Sequence, residues 1–425
     1  MTAETRSDRR VAINAQFLPG GFAGGIEQFL GSLLGALGRL EDGDEEVLVV
    51  TMPSFEHHPS FREGARIRTV AGFLRPGRGF RVVELLPPSL FRALKALGSR
   101  LRPGRARTGV ASVPALPDGS FFDTLGAGVV HFPFQSFFQT SLPTIFQPHD
   151  LQHMHFPRFF TAEELATRER VYPAACASAS AVVVEARWVK KDICENFGVA
   201  DEKVLVIPIG APESRASSPS GAAHPRHGLP ERFVFYPAQA WPHKNHLALL
   251  EALRLLEDRD GIVLGLVCTG RKTSFWPSIA EHVRRLGLRD RVRFPGYVGP
   301  EELAGLYRDA FAVVLPSLCE GAGQPLLEAF AHGAPVACSG TTSLAEYAGD
   351  AALLFDPEKP AEIADALRRF VQEPALCEQL RSAGRARIAA FSWERSARAY
   401  RALYRELAGW PMPDEDHALL REARA

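Results

Sequence analysis

The 425-residue chain sets 49 lysines and arginines against 49 aspartates and glutamates, a formal net charge of zero that excludes a uniformly basic nucleic-acid binder. With 46% hydrophobic and 23% charged residues it is a folded protein, and a globally disordered chain is excluded on the same figures. No stretch reaches the ~18–20 apolar residues of a membrane-spanning helix, and the start MTAETRSDRR is charged with no apolar run behind it, so a cytoplasmic location is expected. Residues 10–17 read as an apolar strand, 20–25 as a glycine-rich loop and Ile26 to Leu40 as a helix, the strand, loop and helix that open a domain. Further strands are predicted at 46–51, 128–132, 180–184 and 203–207, with helical segments between them. The Ser/Pro/Ala-rich residues 212–230 then read as a linker. Alternation restarts with strands at 233–238, 262–270, 292–298, 312–317 and 335–339 and helices near 244–257, 276–286, 300–309 and 324–332. These strands are apolar on both faces, as buried parallel strands are. From Pro360 to about Ala408 the chain is mainly helical. The expected class is α/β, with Rossmann-like domains over 1–211 and 231–395 and a helical tail over 396–425. The six cysteines form no CxxC pair and read as reduced, mostly buried thiols.

The zero net charge is a cancellation. Residues 62–107 carry +10 and residues 301–425 carry −6. Within the basic stretch Leu90, Leu94, Leu97 and Leu101 recur at helical spacing among Arg92, Lys95, Arg100 and Arg102. Two readings stand: a helix packed on the first domain with solvated arginines, or a basic amphipathic helix that meets an anionic membrane surface or acceptor.

The densest chemical signal runs from Pro316 to Glu328, after a predicted strand and into a predicted helix. Gly321 and Gly323 let backbone N–H groups come close to a ligand, and the helix that opens near Gln324 offers unpaired donors and a positive dipole end to a phosphate. Glu320 precedes those donors and Glu328 lies about one turn into the helix, so two carboxylates eight residues apart could hold hydroxyls at both ends of one ligand. This stretch resembles the E-x7-E signature of retaining glycosyltransferases of family 4. The likeness continues upstream through Val292 to Val298 and Glu302 to Tyr307, and downstream through Gly333 to Ala337 and Ser343 to Ala352.

The resemblance implies that Glu320 contacts the donor sugar, that Gly321, Ala322 and Gly323 present backbone N–H groups to the donor with Gln324, Pro325 and Leu326 beyond them, and that Glu328 binds the ribose hydroxyls. The backbone at Tyr297 and Val298 would line the base. Lys244, in the segment Tyr236 to His246, matches the family's phosphate-binding lysine. The usual arginine five residues earlier is Gln239 here, a neutral amide in place of a guanidinium. Gly24-Gly25-Ile26-Glu27 resembles the family's G-G-x-E, where a glycine loop approaches the donor phosphates; it is not a nicotinamide-type G-x-G-x-x-G. His149-Asp150 resembles the H-D segment, whose histidine lies near the reacting carbon. His153 and His155 are expected in plain loop roles, with no metal ligation. Lys190 and Lys191 are expected as surface charges, and Trp241 as a packing residue rather than a stacking platform. Asp258-Arg259-Asp260, Asp414-Glu415-Asp416 and Gly270-Arg271-Lys272-Thr273 imitate metal or phosphate motifs without their context.

The resemblance therefore implies a GT-B enzyme with two facing Rossmann-like domains and a cleft between them. It would be retaining, metal-independent and free of cofactors, and would move a sugar from a GDP- or UDP-linked donor, GDP-mannose preferred, to a glycan or lipid-linked acceptor in surface polysaccharide synthesis. Partners would be the donor, the acceptor and an anionic membrane face met through residues 62–107, with no nucleic acid. A sugar-nucleotide epimerase of the same fold and a catalytically silent binding scaffold are the alternatives.

Overall fold

The computed structural model describes residues 9–17, 25–53, 66–74, 116–212, 228 and 231–425. Gly24, most of the basic stretch 62–107 and most of the linker 212–230 lie outside them. The strands form two parallel sheets, of seven and six strands, so the α/β class expected from the sequence holds. The chain divides into two compact units, Met1–Phe146 and Gln147–Ala425.

In the first unit β1 (Arg10–Ala15), β2 (Glu46–Thr51), β3 (Ile67–Ala71), β4 (Val129–Phe132) and β5 (Thr144–Phe146) run in the order β3-β2-β1-β4-β5. Val11 stands opposite Val47 and Val129, and β1 and β4 are buried on both faces, as parallel strands under helices must be. Two arginines of the basic stretch are accounted for here: Arg66 donates to Leu40 O and Glu41 O at 3.1 Å, and Arg68 on β3 pairs with Glu46 at 3.0 Å.

The second unit holds β6 (Ala181–Val184) paired with β7 (Val204–Val206), and the six-stranded sheet. That sheet comprises β8 (Phe233–Pro237), β9 (Gly265–Thr269), β10 (Val292–Gly296), β11 (Ala312–Leu315), β12 (Val336–Ser339) and β13 (Leu353–Phe355) in the order β10-β9-β8-β11-β12-β13. Strand order reverses between β8 and β11, and in open α/β sheets the crevice beyond the carboxyl ends at such a reversal is where ligands bind. The tail is two helices, Trp393–Ala408 and Asp414–Arg424, joined by a buried ion pair of Arg405 with Asp416 at 2.8 Å. They fold back on β7 and its surroundings: Ser396 Oγ donates to Pro208 O at 2.6 Å, and a Cβ on Gly210 would lie 2.3 Å from the Trp393 backbone. Asp414 to Asp416 accordingly form the first turn of the second tail helix.

One side-chain expectation is corrected here. Lys190 is buried, with Nζ donating to the carbonyl of Arg424 at 2.6 Å and pairing with Asp201 at 2.8 Å; only Lys191 is a surface charge. The helix Arg187–Phe197 turns position 190 toward the returning C-terminal helix, which periodicity in the first segment alone does not reveal. Among the described residues no helix is long and apolar enough to cross a membrane.

Candidate active site

The site forms at the reversal between β8 and β11, from the loops that leave these two strands. After β8 the chain makes a single 3-10 turn, Pro242–Lys244, and Asn245 then takes a left-handed backbone (φ 55°) before the helix His246–Asp260. Asn245 can hold that strained form because its side chain is tied on both sides, donating to Pro316 O at 3.1 Å and to Pro357 O at 2.7 Å. Leu318 N–H donates to His243 O at 2.8 Å, and the Tyr236 hydroxyl donates to Lys244 O at 2.7 Å. The lysine loop and the loop after β11 are thus sewn together along their backbones.

Lys244 Nζ lies 2.6 Å from Glu320 Oε1, and both side chains are more than four-fifths covered. Glu320 is held on either side of its side chain: its N–H donates to Thr342 Oγ1 at 3.2 Å and its carbonyl accepts from Ser343 Oγ at 2.7 Å. An ion pair this dry is stronger than a surface pair but is still a pair of charges with capacity for a polar ligand. The helix Gln324–Ala331 begins at Gly323 with no side-chain cap, leaving backbone donors at its start, and Glu328 sits one turn in. Glu328 is 9% exposed; it accepts from the Tyr307 hydroxyl at 2.7 Å and from Gln324 Nε2 at 3.3 Å. Burial, with the Glu328 charge beside it, pushes the Tyr307 hydroxyl well above its ordinary pKa, so it stays a donor.

The glycines of the motif have a second reason to be glycine. A Cβ on Gly321 would lie 2.2 Å from the carbonyl oxygen of His149, and one on Gly323 would lie 3.0 Å from the Tyr347 ring. Gly321 therefore lets the His149 segment seat on the Glu320 loop. His149 itself has a left-handed backbone (φ 67°), a conformation that costs a non-glycine residue on the order of 1–3 kcal/mol and persists only where the surroundings over-determine it. Its Nδ1 lies 2.5 Å from Glu185 Oε1. Asp150 accepts from Gln152 N–H at 3.0 Å, and burial raises its carboxyl pKa against the pull of that bond and of Arg168 and His149.

The structure thus brings His149, Lys244, Glu320, Gly321 and Gly323 into one cluster, with Glu328 on the adjoining helix. Ala322, Gln324 and Pro325 are half-buried and Leu326 is fully buried in the core behind. Tyr297 follows β10 with 77% of its surface exposed, next to Val298. Gln239 accepts from the Trp241 indole at 3.1 Å, and Trp241, expected to pack, is 43% exposed because it stands on the surface loop before the 3-10 turn. Gly25 opens the helix Gly25–Arg39 in the first unit. His153 is not a loop residue: it is buried in the short helix Gln152–His155, edge-on to Tyr172, and burial pulls its pKa down to about 4. His155, at the end of the same helix, pairs with Asp192 at 2.8 Å. Among the described residues no group of three or more His, Cys, Asp and Glu is arranged to hold a metal. Residues to which sequence reading gave no role are Glu185, Asn245, Thr342 and Ser343. Of these only Glu185 leaves a trace in the sequence, a lone carboxylate directly after the apolar run Ala181–Val184.

Residues 222–387, which include every member of this cluster except His149, match the family model "Glycosyl transferases group 1". Over that stretch, less than half of the chain, the protein is similar to the group 1 glycosyltransferases. Among relatives, the O-antigen chain mannosyltransferase B of Escherichia coli is 28% identical over 255 residues, 58% of this chain and 66% of that protein. The chain spans between about half and two thirds of the length of the curated relatives it matches first. Among solved structures, the sucrose-phosphate synthase of Thermosynechococcus elongatus superposes with a TM-score of 0.66 at 21% identity, over 94% of this chain and 99% of that one. The HepE protein of Anabaena, solved in complex with UDP and glucose, gives 0.63 at 16% identity over 94% and 100%. At these identities the structural likeness speaks for the fold alone. The stretch that matches the family model thus contributes Glu320, Glu328 and Lys244, and His149 reaches it from the segment that precedes β6.

Proposed function

We propose that the protein is a retaining glycosyltransferase that moves a sugar, mannose by preference, from a nucleoside diphosphate to a hydroxyl of a glycan or lipid-linked acceptor. The observation that carries this reading is the Lys244–Glu320 pair at the strand reversal, one loop away from an uncapped helix start. A departing diphosphate develops negative charge as the glycosidic bond breaks. Lys244 and the donors before Leu326 are poised to neutralise it, which is where preorganised charge lowers a barrier most. Glu320, released from Lys244 when the lysine turns to phosphate, accepts from sugar hydroxyls, and Glu328 with Tyr307 behind it accepts from the ribose.

The acceptor oxygen bonds to the anomeric carbon on the face that the diphosphate leaves, and the acceptor proton passes to the departing phosphate oxygen, so atoms and charge balance without a covalent enzyme intermediate. Neutralisation is assigned to Lys244 and backbone donors and not to a metal. Mannose is supported by the mannosyltransferase relative and by the Pro242 to His246 segment. The test is a panel of GDP- and UDP-sugars offered with a lipid-linked acceptor extract. Transfer of one sugar, undiminished by EDTA, is the expected result. Isomerised donor without transfer, or binding without turnover, would instead establish an epimerase or a silent scaffold.

A further inference from the structure

We propose that Glu185 is the positioning residue of His149, fixing its imidazole with the proton on Nδ1 so that Nε2 serves as a hydrogen-bond acceptor toward the ligand. This rests on the reading of the Lys244–Glu320 cluster as a sugar-donor site.

Glu185 follows β6 directly, and its side chain is 1% exposed. A carboxylate is expensive to bury, and in this one the charge is concentrated on a single oxygen's partners: Oε1 lies 2.8 Å from Gln147 Nε2 and 2.5 Å from His149 Nδ1, while Oε2 is buried with no hydrogen-bond partner. A residue needed only to fill space there would be better apolar. What a carboxylate supplies and an apolar group cannot is an acceptor that compels Nδ1 to carry the proton, and the hydrogen bond made by one ring nitrogen decides the state of the other. Glu185 is in turn pinned through its backbone, since its carbonyl accepts from the Tyr347 hydroxyl at 3.0 Å and that hydroxyl accepts from Ile209 N–H at 3.3 Å.

The imidazole is thereby gripped from behind while the His149 carbonyl is seated against Gly321, and the left-handed backbone at His149 is held between the two. The charged and titratable groups around the ring are Glu185 and Asp150, with Glu320 on the loop that Gly321 belongs to and Lys244 paired with it from the loop after β8. Tyr347 and Tyr400 lie behind Glu185.

The test is a double-mutant cycle read in kcat with the sugar donor, using Glu185→Ala, His149→Ala and the double variant, with Glu185→Gln as the shape-conserving control. Glu185→Ala is expected to lower kcat at least ~30-fold with donor KM changed less than ~3-fold, and to cost less than ~3-fold in the His149→Ala background. Glu185→Gln, which keeps an acceptor oxygen, restores most of the lost turnover. Equal losses from Glu185→Ala in both backgrounds would overturn the proposal, because that is the behaviour of a residue that merely supports the fold.

A second readout needs no turnover. Nitrogen-15 spectra of histidine-labelled protein, with His149 assigned from the His149→Ala spectrum, should give a protonated Nδ1 in the wild type and in Glu185→Gln, and lose that signature in Glu185→Ala. An unprotonated Nδ1 in the wild type refutes the positioning role even if transfer is observed, whereas the expected spectra without transfer in any donor screen would leave the positioning intact and sink the transferase reading.

Discussion

Replacing Gly321 by alanine probes the joint on which the site depends. The added Cβ would lie 2.2 Å from the His149 carbonyl oxygen and 2.9 Å from its carbonyl carbon, and both are backbone atoms that cannot swing aside. To restore a 3.0 Å contact the two loops must part by about 0.8 Å, an overpacking strain of the kind that costs ~1–3 kcal/mol. Because Glu320 is the preceding residue and Lys244 pairs with it at 2.6 Å, the parting also shifts the groups that hold the donor. A displacement near 1 Å in a catalytic constellation can lower turnover ~100-fold. Urea denaturation followed by circular dichroism reads the first effect and steady-state donor consumption the second. Gly323→Ala is the internal comparison: the nearest atoms its Cβ would meet belong to the Tyr347 side chain, at 3.0 Å and beyond, so its loss of turnover should be the smaller. Wild-type stability and turnover in Gly321→Ala would refute the contact between His149 and the Glu320 loop.

Lys244→Ala and Glu320→Ala should each lower turnover at least ~100-fold, about 2.7 kcal/mol of transition-state stabilisation, with unchanged circular dichroism; near-wild-type activity in both removes the assignment of the site. Lys190→Ala strips a buried bond to the Arg424 carbonyl and should destabilise by ~1–3 kcal/mol in urea, whereas Lys191→Ala, on the exposed face, should stay within ~0.5 kcal/mol. His153 has a folded pKa near 4 against an ordinary 6.5, so the unfolded chain takes up the proton first and stability, full above pH 6.5, falls as the pH is lowered toward 4. At about 1.4 kcal/mol per unit the effect is on the order of 3 kcal/mol, and His153→Phe, which keeps the ring contact with Tyr172, should flatten the pH dependence of the urea midpoint over that interval.

The sequence made the frame of the second unit readable, because buried parallel strands such as Ala312–Leu315 and Val336–Ser339 are unbroken apolar runs between helices. Strands β3, β5 and β13 escaped it for different reasons. Thr144–Phe146 is three residues beside a proline, Ile67–Ala71 lies inside the arginine-rich stretch that masks its alternation, and Leu353–Phe355 leaves Leu354 about half exposed. At the site, local spacing exposed the two glutamates and the lysine loop, since each motif is contiguous. The pairing of Lys244 with Glu320 spans 76 residues and that of His149 with Glu185 spans 36, and no local pattern encodes either. Gly321 was legible as a glycine that crowds something. That it crowds the His149 carbonyl is a property of the fold.

The most direct test of the central claim is the fate of anomerically carbon-13-labelled GDP-mannose incubated with the lipid-linked acceptor extract and either wild-type protein or Glu320→Gln. The account predicts a new anomeric resonance in the glycan product with the donor's configuration preserved, formed by the wild type and at least ~100-fold more slowly by Glu320→Gln. An inverted product, or equal rates from the two proteins, would contradict it.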